Sequence, residues 1–358
     1  MRIGLHTGYW SAGPPEGTAE AVLEADALGV DSVWTAEAYG SDALTPLAWW
    51  GARTERVRLG TAVAQISART PTATAMAALT LDHLSGGRFI LGLGVSGPQV
   101  VEGWYGQPYP RPLARTREYV DVVRQVLRRE APVTASGPTY PLPLTTETAG
   151  GRPVTGLGKA LRSTVRPLRA DLPIHLAAEG PKNIALAAEI ADGWLPLFYS
   201  PRLDDQFRGF LDDGFARRGA GQTPRERFEV SATVPVVVHD DPERAADQVR
   251  PFIALYVGGM GAKGANFHRN AVDLLGYSEA ADEIQAHYLA GDRERAAAAV
   301  PTELVDDIAL VGSPERIRER LARWESTAVT TVVVQGDAAA LRAVLPVRDA
   351  PSTTTTPA

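Results

Sequence analysis

No cysteine occurs in the 358 residues of this chain. Its absence excludes disulfides, thiolate zinc sites, iron–sulfur clusters and cysteine nucleophiles, and it fits a reducing, cytoplasmic setting. Lysine is almost absent as well: Lys159, Lys182 and Lys263 stand alone, and every other basic residue is arginine. No run of about 18 apolar residues is present, so no membrane span is expected. The first ten residues are too polar for a signal peptide. The 36 basic residues are outnumbered by 42 acidic ones, a net charge of −6, which argues against a nucleic-acid or membrane-surface binder. The six histidines show no three- or four-residue spacing, so no metal site is expected. A P-loop and a nucleophile elbow are also missing.

Present instead is a repeating alternation. Short apolar runs at residues 3–7, 31–35, 57–64, 88–94, 172–178, 193–197, 229–239 and 330–335 read as strands. Amphipathic stretches between them, such as 18–28, 72–84 and 113–129, read as helices. Fully apolar strands alternating with helices imply a parallel sheet covered by helices. Eight such units favour a closed (β/α)8 TIM barrel of the α/β class. One barrel spanning residues 1–345 is expected, with insertions near 132–171 and 258–307. The end of the chain, 346–358, is rich in Thr and Pro and reads as a disordered tail.

Gly92-Leu93-Gly94-Val95-Ser96-Gly97 matches the dinucleotide fingerprint literally, with Glu118 at about the distance of a ribose acid. Pro98, Gly103 and Gly106 spoil the helix that should receive a pyrophosphate, and the match falls in the fourth unit rather than the first, so a lone match carries little.

In a barrel the site lies at the C-terminal strand ends. Those ends supply His6, Tyr9 and Trp10; Glu37 and Tyr39; Gln65, Ser67 and Arg69; Val95, Ser96 and Gly97; Glu179, Gly180 and Lys182; Phe198 and Tyr199; His239; and Gln335 and Asp337. Aromatics and bare backbone suit a large planar ligand, and no carboxylate pair suggests hydrolysis. Such a set orients a cofactor that carries the chemistry itself. Gly180-Pro181-Lys182 opens a helix and reads as a phosphate site. Residues 148–170 hold five basic residues and no acid, either a solvated loop or a cradle for a long anion.

Residues 29–47 (GVDSVWTAEAYGSDALTPL), 59–65 (LGTAVAQ), 69–97 (RTPTATAMAALTLDHLSGGRFILGLGVSG), 177–194 (AAEGPKNIALAAEIADGW) and 311–321 (VGSPERIRERL) together resemble the luciferase-like monooxygenase superfamily. The likeness is strongest to its deazaflavin branch, the actinobacterial oxidoreductases that use coenzyme F420. The resemblance implies a luciferase-like barrel with insertions, usually a homodimer. It implies a cis peptide at Ala62–Val63 beneath the cofactor ring, and cofactor contacts from Glu37, Ala62, Val63, Val95, Ser96, Gly97, Glu179, Gly180, Pro181 and Lys182. Relatives carry Asp-His where this chain has Glu37-Ala38, so the proton-donating histidine of the sugar-phosphate dehydrogenases is missing.

The resulting expectation is hydride transfer between the deazaflavin C5 and a small organic substrate, such as reduction of a C=C, C=N or C=O bond. His6 and Glu37 are the candidate catalytic residues; Tyr9, Trp10, Tyr39 and His268 are the candidate substrate pocket. The alternatives are an FMN-dependent monooxygenase and a non-catalytic barrel that binds a cofactor or a partner.

Overall fold

The computed structural model describes residues 1–260 and 266–346. Ten strands are present among them: β1 (Arg2–His6), β2 (Ser32–Thr35), β3 (Arg58–Thr61), β4 (Ala64–Gln65), β5 (Phe89–Gly94), β6 (Ile174–Ala177), β7 (Gly193–Leu195), β8 (Glu229–Val238), β9 (Leu310–Gly312) and β10 (Thr331–Gln335). All pair in parallel. The sheet runs β10-β1-β2-β3-β5-β6-β7-β8, and β8 pairs with β10 to close the barrel. The expected closed (β/α)8 barrel is therefore present. β9 is extra: it pairs with the last part of β8, beyond the stretch that meets β10.

The expected helices form where the periodicity put them, within one to four residues at their ends. Thr18–Leu28 ends at Gly29, whose φ of 77° is a left-handed cap that a side chain would strain. Proline occupies the first turn of Pro71–Leu84, Pro112–Arg128, Pro181–Ile190 and Pro242–Ala254, where its missing N–H costs nothing. The second insertion folds into helices Phe267–Leu274, Ser278–Leu289, Arg293–Ala298 and Thr302–Ile308. These pack with Pro242–Ala254 around a core of their own, which includes Val249, Ile253, Ile284 and Leu304.

The first insertion leaves the end of helix Pro112–Arg128 and climbs the outside of the barrel. Glu118 accepts the amides of Thr139 and Tyr140, so it anchors this insertion and is not a ribose acid. The basic stretch then descends away from the mouth. Arg169 binds the buried Asp82 and the carbonyl of Phe89, at the start of β5. That pairing places Arg169 at the opposite end of the barrel from the strand tips and corrects the cradle reading. Lys263 lies outside the described residues, as does the expected tail from residue 347 onward.

Parallel register assigns the barrel interior, because paired residues share a face and the pattern repeats every second residue. The lower level holds Arg2, Ser32, Arg58, His175, Glu229, Ser231 and Thr331. Glu229 accepts from Arg2 at 3.0 Å and from Arg58 at 3.0 and 3.1 Å, and Arg58 also pairs with Asp31 at 2.6 Å. Burial alone would raise the Glu229 carboxyl, but the surrounding His175 and arginines pull it down to about 2. Above this level the indole of Trp34 fills the barrel, packed with Ile90, Leu195 and Val333. It fits because Gly60 faces it: a Cβ there would meet the indole at 2.3 Å.

Candidate active site

Above Trp34 the inward residues become small. Ala62, Val63 and Ala177 are half-buried and join the cluster formed around Trp34. Gly94 makes room for them; a Cβ there would strike Val63 at 2.5 Å. The Ala62–Val63 peptide is cis, as the resemblance implies. Half-buried Val95, Ser96 and Gly97 continue this floor. Ser96 has a φ of 58°, and its carbonyl accepts from Tyr109 at 2.9 Å.

On the β1–β4 side, Glu37 is buried and fully engaged. Both its oxygens take Arg69, at 2.8 and 2.9 Å, and one also takes the amide of Gln65 at 3.0 Å. Gln65 returns a side-chain bond to the Glu37 carbonyl. This carboxylate ties the end of β4 to the end of β2. Both its oxygens are held, one by Arg69 and the other by Arg69 and Gln65, so the structure gives it a positioning geometry rather than that of a free acid or base. His6 is likewise committed. Its Nδ1 accepts from the amide of Gly8 at 3.0 Å, which leaves Nε2 as the donor to the Ala62 carbonyl at 3.4 Å. Burial lowers the imidazole to about 4, against a smaller opposing effect of the Ala62 bond. It is therefore neutral at pH 7 and poorly suited to release a proton.

The β6–β8 side differs. β6 pairs His175 with Gly92 and Ala177 with Leu195, so Glu179 continues the same inward line. One of its oxygens accepts the amide of Leu197 at 3.2 Å. No cation pairs with it among the described residues. Burial without a counter-charge pushes its carboxyl up to about 8, the Leu197 bond opposing. Across from it the Tyr256 hydroxyl donates to that of Tyr9 at 3.2 Å. His268 packs edge-on against Tyr256 and Phe198, with ring centroids 4.8 and 6.0 Å apart. Burial lowers it to about 4, so it too is neutral. Tyr9 retains 41% of its surface, while burial raises its phenol; both hold for a side chain lining an open concavity.

Gly180 caps helix Pro181–Ile190 in extended backbone, with open space around its Cβ position. No side chain caps this helix. Lys182 is exposed in the first turn and forms no ion pair among the described residues. An open helix N-terminus beside glycine and lysine is suited to a phosphate.

Most of the expected site residues thus meet at one mouth: His6, Tyr9, Glu37, Ala62, Val63, Val95, Ser96, Gly97, Glu179, Gly180, Pro181, Lys182 and His268. Trp10 and Tyr39 stand further out. Tyr39 is 61% exposed and lies 6.5 Å from the equally exposed Trp104. Tyr256, Leu197 and the Arg69–Glu37 pairing belong to the site and were not assigned a role from sequence. Arg69 and Glu37 were both visible as strand-end residues; their pairing across 32 positions was not.

The family model for luciferase-like monooxygenases matches residues 2–331. A Mycobacterium tuberculosis protein named as a coenzyme F420-dependent oxidoreductase is 59% identical over 95% of this chain and 96% of its own length. The 5,10-methylenetetrahydromethanopterin reductase of Archaeoglobus fulgidus is 26% identical, covering 86% of each chain. Among solved structures, the coenzyme F420-dependent tetrahydromethanopterin reductase of Methanopyrus kandleri superposes with a TM-score of 0.75 at 22% identity, over 96% of this chain and 97% of that one. A secondary alcohol dehydrogenase bound to an F420–acetone adduct gives 0.73 at 17% identity, over 96% and 99%. The likeness to solved structures extends over the whole barrel, and the family model and the mycobacterial relative carry it into sequence: the chain belongs to the luciferase-like monooxygenase family.

Proposed function

We propose that this protein is a coenzyme F420-dependent oxidoreductase that reduces a C=C, C=N or C=O bond of a small organic substrate, or runs the reverse reaction. The observation that carries this reading is the shape of the mouth: a flat floor of small apolar groups that ends at an uncapped helix N-terminus beside Lys182. The relatives' names point the same way.

The residues fit such a cofactor. Ala62, Val63, Val95 and Ala177 would support the planar ring, with Gly94 letting Val63 and Ala177 pack into one floor. Gly180, Pro181 and Lys182 would hold its phosphate. When bound, the deazaflavin supplies or accepts a hydride at its ring carbon C5. The chain does the rest. His6, neutral and locked between Gly8 and Ala62, fixes the floor. The Glu37–Arg69–Gln65 network fixes the wall. Tyr9, Tyr256, Phe198 and His268 form an aromatic, largely neutral pocket in which a small organic substrate loses its water.

A homodimer acting in the cytoplasm completes the proposal. Large apolar side chains stand exposed on one outer face: Trp49, Met76 and Leu84 on two adjacent helices, and Leu161, Val165 and Leu168 on the first insertion. Met76, Leu161 and Val165 share a groove of about 470 Å³. A patch of this kind on a water-soluble barrel marks an association surface. Trp49 in particular is 65% exposed.

Titration with purified F420 and with FMN tests the reading. Micromolar quenching of the deazaflavin fluorescence is expected; tight FMN binding with no response to F420 would overturn it.

A further inference from the structure

Reducing a polar double bond takes a proton as well as a hydride, and the mouth offers few sources. Both histidines there are neutral and committed or buried: His6 donates to the Ala62 carbonyl, and His268 sits edge-on between Phe198 and Tyr256. Glu37 is held by Arg69. The phenols of Tyr9 and Tyr256 bind each other, and burial makes both weaker acids.

Glu179 is built differently. It rises from the same inward line as Ala177, and Gly94 brings Ala177 close to Val63: the Cβ position of Gly94 lies 2.5 Å from Val63 and 3.7 Å from Ala177. Two residues along a strand advance about 6.6 Å, so Glu179 stands one level above the Ala62–Val63 floor. One carboxyl oxygen is fixed by the Leu197 amide. The other has no partner among the described residues and is not sealed from the mouth, since the residue is only half-buried. Its neighbours, Ala177, Leu197 and the Tyr256 phenol, bring no positive charge. A carboxyl in such surroundings favours its neutral form.

We propose that Glu179 is the catalytic acid of this enzyme: it enters the reaction as a neutral carboxylic acid and gives its proton to the substrate. The proposal rests on the F420-dependent reading above. For a ketone, the hydride forms the new C–H bond and the C=O π electrons move to oxygen. The Glu179 O–H bond breaks, its proton forms the alcohol O–H, and a carboxylate remains. The two electrons come from the reduced deazaflavin, which is oxidised; solvent at the open mouth reprotonates the carboxylate. For an imine or an activated alkene the proton goes to nitrogen or to the second carbon. In the reverse direction the carboxylate takes the proton back.

The titratable group beside Glu179 is Tyr256, which in turn binds Tyr9 and packs against His268. Tyr9 and Tyr256 titrate above their usual range and His268 near 4, so a transition near pH 8 would belong to Glu179. The test uses the full chain without substrate first. Infrared spectra across pH 6–10 should show a carboxylic-acid carbonyl band that disappears with a midpoint near 8 and is missing from Glu179→Gln. Turnover then follows: Glu179→Gln should lower kcat by about 100-fold or more with F420 affinity within about threefold of wild type. The wild-type fall in kcat above pH 8 should vanish in the variant. If Glu179→Gln fails to fold, Glu179→Asp should shift the band and lower kcat by a smaller factor. A band absent at pH 6, or a variant with unchanged kcat and pH profile, would overturn the proposal. Failure of the wild type to bind F420 would instead overturn the cofactor reading, and the infrared result would stand apart from it.

Discussion

Two glutamates guard opposite sides of one mouth, and they have opposite fates. Glu37 meets a guanidinium and a main-chain amide, and both its oxygens are engaged. Glu179 meets one amide and no charge. Both follow the end of an apolar strand. What separates them is a counter-charge delivered by a distant part of the chain, and that decides whether a strand-end acid becomes a fixture or a reagent.

The comparison can be broken first through Glu37. Glu37→Gln should leave the half-buried Arg69 with only the Asp42 carboxylate, 3.9 Å away, to balance its charge, at a cost of about 3 kcal/mol. Denaturant unfolding should show this as a lower midpoint at unchanged slope, and cofactor affinity should fall with it. An unchanged midpoint would mean that the pair does not hold the wall.

A second test runs through pH. The folded-state pKa of Glu179 is raised above its unfolded value, so the folded state binds the extra proton between the two. Stability should therefore fall as pH rises from about 4.5 to about 8, with a slope of at most about 1.4 kcal/mol per pH unit. Glu179→Gln should flatten that slope. At the other end of the barrel the sign is reversed. Glu229 has a depressed pKa near 2; its contribution is complete above the ordinary glutamate range and is lost as pH falls toward 2. Glu229→Gln should remove that acid limb and leave the alkaline one intact.

A third concerns the rim. Lys182→Ala should weaken F420 binding by about 10-fold, the scale of one charge-assisted hydrogen bond, with greater sensitivity lost at low salt than at high salt and no change in melting temperature. The smallest structural effect is expected from Leu161→Asp on the outer face. It should convert the proposed dimer to monomer in sedimentation and leave the mouth chemistry nearly unaltered.

The barrel was largely legible in the sequence because fully apolar strands and 3.6-residue helical periodicity survive without tertiary information. Eight strands emerged nearly in place. β9 was missed because three residues carry no period, and the four helices of the second insertion were left unread. The short helix Pro98–Gly103, in a stretch judged too broken for one, does form. The site was legible as a set of strand ends but not as a set of roles. His6 and Glu37 look reactive in sequence; burial and partners 56 and 32 positions away silence them. The basic stretch misled because charge counted along the chain does not reveal that Arg169 is already held by Asp82. Glu179 was visible as a strand-end acid and an expected cofactor contact, yet its protonation depends on what does not surround it.

The Trp34 indole, seated over Gly60 and 5.7 Å from the His175 ring, acts as a spacer between two chambers. Below it lie two arginines, two acids and a buried imidazole; above it lies a small-molecule pocket. The two arginines and two acids of the lower cluster cancel one another's charge, and the indole holds that neutral cluster at a distance from the upper acid. Charge changes made in the two chambers should accordingly add, within about 0.5 kcal/mol, as though they had been made in two separate proteins.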